Sequence, residues 1–331
     1  MDTAKDKTLS SLGEFGLIER LRQRFPAPEG LTGIGDDCAI LPQQSGRDTL
    51  VSTDMLIEGT HFLRGDIPPY ALGWKSAAVN ISDIAAMGGR PTATFLSLAL
   101  PADLGTAWVD EFFRGYTTLS KRFGAALLGG DTTGSPRGIC INVAVLGECP
   151  AGTARKRSDA REGDLVCVSG NLGDSALGLR AILEGLERDA DIQALIDRHY
   201  LPLPRVEEGL RLASTAGVHA MMDLSDGLAS DLPHILEASG KGAEIDTAAL
   251  PLSDTLKRVC TRLDWDPLPF ALGGGEDYEL LFTVDPDAEK DLDVPHTVIG
   301  KIIPCHSERT RRIHWHGTNR AFSGFDHFHR D

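Results

Sequence analysis

Apolar positions along the chain fall into short segments with helical or strand periodicity, each closed by glycine, proline or a polar turn. Gly13 to Phe25 predicts a helix ended by Pro26 and Pro28. Leu50 to Thr53 predicts the end of a buried strand, with Asp54 just past it. Trp74 to Met87 has helical spacing and stops at Gly88, Gly89 and Pro91. On that helix Asn80 and Asp83, three apart, share a face. Thr92 to Leu100 predicts a strand, and Trp108, Phe112, Tyr116, Leu119 and Phe123 mark the buried stripe of a second helix. A short apolar run, Ala125 to Leu128, stops at Gly129. Ile139, Ile141, Val143 and Val145 then alternate as a strand does.

A boundary is expected near Pro150 to Ala154, where small residues precede the basic Arg155, Lys156 and Arg157. Beyond it, Leu165 to Ser169 predicts a strand and Asp174 to Leu186 a helix. Leu228, Leu232, Ile235 and Leu236 predict another helix, and Tyr278 to Val284 and Val298 to Ile303 later strands. A chain of 331 residues exceeds one ordinary core, so two domains are expected, residues 1–150 and 151–331. Both mix helices and strands, so each is expected to be a layered α/β-type sandwich.

Composition narrows the partners. Net charge is −15, from 33 Lys and Arg against 48 Asp and Glu, a field that repels nucleic acid and anionic membranes. The six cysteines form no CxxC pair and suit core positions better than disulfides. The polar N-terminus lacks the apolar stretch of a signal peptide, and no run approaches the ~18 apolar residues of a membrane span. A cytoplasmic protein is expected.

Candidate chemistry lies in the acidic residues. Asp recurs where apolar runs meet glycine or a hydroxyl: Asp36 and Asp37, Asp54 after Ser52 and Thr53, Asp83, Asp131 after Gly130, Asp223 and Asp226 around Ser225, and Glu276 and Asp277 after three glycines. Carboxylates at strand ends are well placed to converge, because loops there concentrate binding groups. Each alone also suits a helix cap or turn. As a set, hard oxygen ligands with few cations nearby suit Mg²⁺ holding phosphates, with glycines letting backbone approach phosphate closely. The sequence has no GxxxxGK[ST] loop, no complete GxGxxG, no GxSxG elbow and no HExxH, which argues against P-loop, dinucleotide, hydrolase and zinc chemistry.

Seven stretches resemble the thiamine-monophosphate kinase family of the AIR-synthetase-like (PurM-like) superfamily. They are Gly33–Leu41, Val51–Phe62, Lys75–Gly89, Leu128–Pro136, Met222–Leu228, Gly273–Thr283 and Gly324–Phe328, in the family's order. The resemblance runs from residue 13 to the C-terminus. It implies an α+β, two-domain PurM-like fold, a homodimer paired through the N-terminal domains, and ATP-dependent phosphorylation of thiamine monophosphate with Mg²⁺. Carried over by position, it implies that Asp37, Ser52, Thr53, Asp54, Asp83, Asp131, Asp223 and Asp226 ligate Mg²⁺, with Asp36 as the alternative to Asp37. Asp54, Asp83 and Asp131 would serve catalysis directly. Gly130, Asp131, Arg157 and Ser225 would contact ATP. His61, Glu276 and Phe325 would hold thiamine monophosphate, where the family often has Trp or Tyr at the last position.

Chemistry agrees with that implication. A phosphate monoester has its second pKa near ~6, so the acceptor is already largely a dianion at neutral pH and needs no general base. It needs relief of repulsion from ATP, and direct in-line transfer assisted by several Mg²⁺ ions is expected. Other superfamily chemistries fit less well. The chain ends without the C-terminal cysteine of the hydrogenase-maturation dehydratase, and lacks the N-terminal reactive cysteine of selenophosphate synthetase. AIR synthetase would not call for the His61 segment. A non-catalytic nucleotide or Mg²⁺ sensor on the same scaffold would bind ATP without turnover.

Overall fold

The computed structural model describes residues 35–43, 46–305 and 313–318, with residues 19, 22, 23, 32, 320 and 322. The helix expected over Gly13–Phe25 lies outside the described residues except at Glu19, Arg22 and Gln23, and Phe325 lies outside them altogether.

The first half builds a five-stranded sheet from β1 (Ala39–Pro42), β2 (Arg47–Ile57), β3 (Arg90–Leu100), β4 (Ala126–Gly134) and β5 (Cys140–Pro150), in the order β1-β2-β5-β3-β4. Neighbours run antiparallel except β3 and β4, which the crossover through α2 (Thr106–Arg122) makes parallel. α1 (Pro69–Ala86) crosses α2 backbone to backbone. A Cβ on Gly73 would lie 1.9 Å from the Phe112 carbonyl, and one on Gly115 1.8 Å from that of Tyr70. Only glycine permits that approach.

The second half places β6 (Leu165–Val168), β7 (Val218–Asp223), β8 (Lys241–Asp246), β9 (Leu280–Val284), β10 (Thr297–Pro304) and β11 (Ile313–His316) in a six-stranded sheet, ordered β11-β8-β10-β6-β9-β7. Its helices are α3 (Asp174–Leu183), α4 (Ala190–Tyr200), α5 (Val206–Ser214), α6 (Leu228–Ser239), α7 (Asp254–Leu263) and α8 (Leu268–Gly273). Sheets dominated by antiparallel pairs and covered by helices make the fold α+β, as expected. Among the described residues no helix is long and apolar enough to cross a membrane.

Helix α1 joins the halves. Fourteen of its 18 residues are buried, so it is walled on nearly every side rather than amphipathic. It packs on the first sheet and on α2. Its C-terminal end touches α5, where a Cβ on Gly209 would lie 2.3 Å from the Ala85 carbonyl, and Ala86 joins Met221 and Phe282 in a shared core cluster.

Two local expectations change. Strand β2 does not end at Thr53 but runs to Ile57, leaving Asp54 in mid-strand opposite Val143. Strand β4 does not stop at Gly129 but continues through Gly130 and Asp131 as an exposed edge. In both, the ladder carries the strand through polar residues that an apolar run cannot mark.

Candidate active site

Strand β2 turns alternate side chains to opposite faces. Leu50, Ser52, Asp54 and Leu56 face α1, and Thr53, Met55 and Ile57 face outward. The Asp54 backbone N–H donates to Asn80 Oδ1 at 3.1 Å, and Ser52 Oγ donates to Asp83 Oδ2 at 2.5 Å. The shared face predicted for Asn80 and Asp83 is therefore the one that meets β2. From the second half, β7 delivers Asp223 at its end, where Ser82 Oγ of α1 donates to Asp223 Oδ2 at 2.5 Å. Asp37 arrives from the bend before β1. One oxygen from each of Asp37, Asp83 and Asp223 falls within 4.8 Å of the others.

Arg157 pins this cluster from behind. Its Nη2 and Nε donate to the two Asp37 oxygens at 2.9 and 3.2 Å, while its backbone N–H donates to Asp36 Oδ1 at 2.8 Å. Asp37 thus joins the cluster and Asp36 serves the Arg157 backbone. Burial opposes the guanidinium charge, but Asp37 more than compensates and holds it firmly protonated. One cation does not balance so many carboxylates. Burial, then repulsion from Asp37, pushes Asp54 up to about 6. Asp83 is pushed well above the carboxylate range by burial and by Asp54, and Asp223 by burial and by Asp37. Converging hard oxygen donors that resist ionisation without a cation fit a divalent metal such as Mg²⁺.

The turn after β7 is held by a residue the sequence reading passed over. Asp231, buried in the first turn of α6, accepts from the backbone N–H groups of Ser225, Asp226 and Gly227 at 3.0, 3.1 and 3.0 Å. That anchorage presents Ser225 and Asp226 to a cleft of about 1230 Å³, which Asp54, Asp83 and Asp223 also line. The one sequence signal for it is an acidic residue in a first helical turn.

The other end of the cleft is apolar, walled by Met55, Ile57, Phe62, Leu63, Leu179 and Leu183. Among the described residues these include five of the seven exposed large hydrophobics, so the exposure is concentrated where a ligand would cover it. His61 lines the same end, and its Nδ1 accepts from the Ile57 N–H at 2.9 Å. That bond leaves the proton on Nε2 of the neutral ring. Glu276 stands between the ends with φ of 65°, its Oε2 accepting from Lys75 Nζ at 2.7 Å and lying 3.2 Å from His199 Nδ1. Burial works against its charge, but the Lys75 ammonium holds the carboxyl below the usual range. His199 is driven down to about 3 by burial and by the Lys75 charge, and is neutral.

Not every expected residue converges. Asp277, beside Glu276, turns away and accepts from the Gly173 and Ser175 N–H groups at 2.8 and 3.4 Å, capping α3, with burial pushing it up to about 8. The Thr53 hydroxyl donates to the Val143 carbonyl on the outer face, away from the cluster. Asp131 is exposed on β4, which lies three strands from β2 in the sheet, roughly 14 Å from the facing Met55. Gly130 has a local reason to be glycine, since a Cβ there would lie 1.8 Å from the Leu96 carbonyl.

Two domain families match the chain: the AIR synthase related protein N-terminal domain over residues 35–149 and its C-terminal domain over 161–310. The thiamine-monophosphate kinase of Salmonella typhimurium is 41% identical over 329 residues, covering 96% of this chain and 98% of that protein. The chain belongs to the thiamine-monophosphate kinase family. A solved family structure, described as AaThiL complexed with AMPPCP and TMP, is 36% identical with a TM-score of 0.89 and covers 98% of this chain and 100% of that one. The enzyme from Stenotrophomonas maltophilia K279a is 38% identical with a TM-score of 0.75, covering 93% of this chain and 98% of that one. The expected two-domain PurM-like fold is thus the fold of the family. Asp37, Asp54 and Asp83 fall within the N-terminal match and Asp223 and Glu276 within the C-terminal one, so the candidate site lies between the two domain families.

Proposed function

We propose that the chain transfers the γ-phosphoryl group of ATP to thiamine monophosphate, giving ADP and thiamine diphosphate. The observation that carries the reading is the convergence of Asp37, Asp83 and Asp223 oxygens at one end of a cleft whose other end is apolar, in a chain of this family. AMPPCP and TMP in the AaThiL complex support an ATP-like donor and thiamine monophosphate as acceptor. We divide the chain at 150/151, into an N-terminal nucleotide, metal and dimer domain and a C-terminal domain.

Transfer is direct and in line, without a phospho-enzyme. The acceptor phosphate is largely ionised above pH ~6, so no side chain has to remove a proton from it. The neutral His199 at the far end, engaged by Lys75 and Ser175, fits a site with no such base. Mg²⁺, held by Asp37, Asp54, Asp83, Asp223 and Asp226 with an oxygen of Ser52, would neutralise the two phosphate groups and stabilise charge on the transferring one. Ser52 and Ser82 orient Asp83 and Asp223 for that task, and Asp231 fixes the turn from which Ser225 meets ATP. Arg157 completes the ATP contacts. Thiamine monophosphate is held by His61 and Glu276, with its rings against the apolar wall and Phe325 stacking on one of them. Homodimer pairing through the first sheet is supported by the exposed edge β4 and the exposed Phe95 and Leu128 beside it.

A ³¹P NMR time course of the protein with ATP, Mg²⁺ and thiamine monophosphate tests the reading. Thiamine diphosphate should appear in step with ADP. Untouched ATP would make the chain a nucleotide or Mg²⁺ sensor, and ADP without thiamine diphosphate would mean another acceptor.

A further inference from the structure

Lys75 has no part in the chemistry described so far, yet it sits fully buried on the face of α1 that looks into the cleft. A buried ammonium is costly unless it is paired and hydrogen-bonded. Its Nζ donates to Glu276 Oε2 at 2.7 Å and lies 3.4 Å from His199 Nε2. His199 in turn lies 3.2 Å from the same Glu276 oxygen and 3.0 Å from Ser175 Oγ. Helix α1, the end of α4 and the loop after α8 therefore meet on one carboxylate. Both contacts fall on Oε2, and Oε1 takes neither of them. The Glu276 side chain remains 25% exposed at the cleft. Its backbone adopts the left-handed region, so the local chain alone does not favour this pose.

We propose that Lys75, backed by His199, is a positioning residue for substrate selection: it fixes the Glu276 carboxylate so that Oε1 faces the cleft as acceptor for an N–H donor on the substrate, the exocyclic amine of an aminopyrimidine ring. This rests on the reading that thiamine monophosphate is the acceptor and that Glu276 touches it. The Lys75 and Glu276 charges cancel, so this end of the cleft selects by hydrogen-bond direction rather than by net charge. A ring whose donor is absent or replaced by an acceptor leaves a buried carboxylate oxygen unpaired.

The test is a steady-state cycle on the full chain with wild type, Lys75→Met, Glu276→Gln and the double variant. Loss of one hydrogen bond to a charged group corresponds to about 10-fold or more in affinity. Lys75→Met should therefore raise KM for thiamine monophosphate about 10-fold or more and leave KM for ATP within about twofold. In the Glu276→Gln background the same change should alter KM for thiamine monophosphate by less than about twofold, because no carboxylate remains to be oriented. Equal effects in both backgrounds, or a fall in kcat with KM unchanged, overturn the inference. If Lys75→Met does not fold with Glu276 left unpaired, the uncharged double variant compared with Glu276→Gln decides by the same twofold criterion. Wild-type protein that leaves thiamine monophosphate untouched overturns the kinase reading and this inference with it. Wild-type turnover with Lys75→Met unchanged overturns the inference alone.

Discussion

Replacing Asp54 with Asn should make the metal-free protein more stable while stopping its chemistry. Asp54 is shifted from 3.8 to about 6 by burial and by the Asp37 charge. A shift of ~2 units at ~1.4 kcal/mol each amounts to about 3 kcal/mol, and the partial solvent access of the side chain reduces this to about 2 kcal/mol. A folded state that holds the proton more tightly than the unfolded chain is favoured in acid. Its advantage is fully present below pH ~4 and is lost as the pH rises through ~6. Asn is isosteric and uncharged, so Asp54→Asn removes this loss. Urea denaturation in EDTA should show the variant more stable by about 2 kcal/mol at pH 7.5, by well under ~1 kcal/mol at pH 4.5, and no different below pH ~3. Mg²⁺ should raise the stability of wild type more than that of the variant, since binding to the folded state alone stabilises it. A variant less stable than wild type at pH 7.5 in EDTA, or one that gains equally at pH 4.5, would refute the reasoning.

Three further outcomes follow from the geometry. Asp83→Ala should cost at least ~10²-fold in kcat with a near-native circular dichroism spectrum, as removal of a charge-stabilising group does, and near-normal turnover would remove the metal assignment. Asp231→Ala leaves three N–H groups of the 225–227 turn without their acceptor. It should destabilise by about 2–4 kcal/mol in chemical denaturation and raise KM for ATP. Gly73→Ala drives a methyl group to 1.9 Å from the Phe112 carbonyl. It should destabilise by about 3 kcal/mol or more, read as loss of soluble protein or of several degrees in Tm.

Legibility in the sequence followed the local rules each residue obeys. Asp37, Asp83 and Asp223 stood at the ends of apolar runs, and chain topology brought those ends together. Glu276 and Asp277 carried the same signal side by side, yet one lines the cleft and the other caps α3, a choice made by backbone direction that no residue type records. Lys75 and Ser82 were illegible for a different reason. Polar residues on a helix ordinarily mark its wet face, and α1 has almost none. Asp54 was recognised, but its place in β2 was not, because an interstrand ladder with β5 extends the strand beyond its apolar run. Strand β7, buried at all six residues, betrayed itself only through the Asp that ends it.

Helix α1 also acts as a ruler. Lys75 and Asp83 lie eight residues apart, which the helical rise converts to ~12 Å between the Lys75–Glu276 pair and the carboxylate cluster. No loop intervenes to let that distance drift. Because the helix is enclosed, it cannot tilt to accommodate a longer or shorter molecule without disturbing both sheets. Inserting one residue between the two would turn one end by ~100° relative to the other, and the cleft would lose either the Lys75–Glu276 pair or the carboxylate cluster.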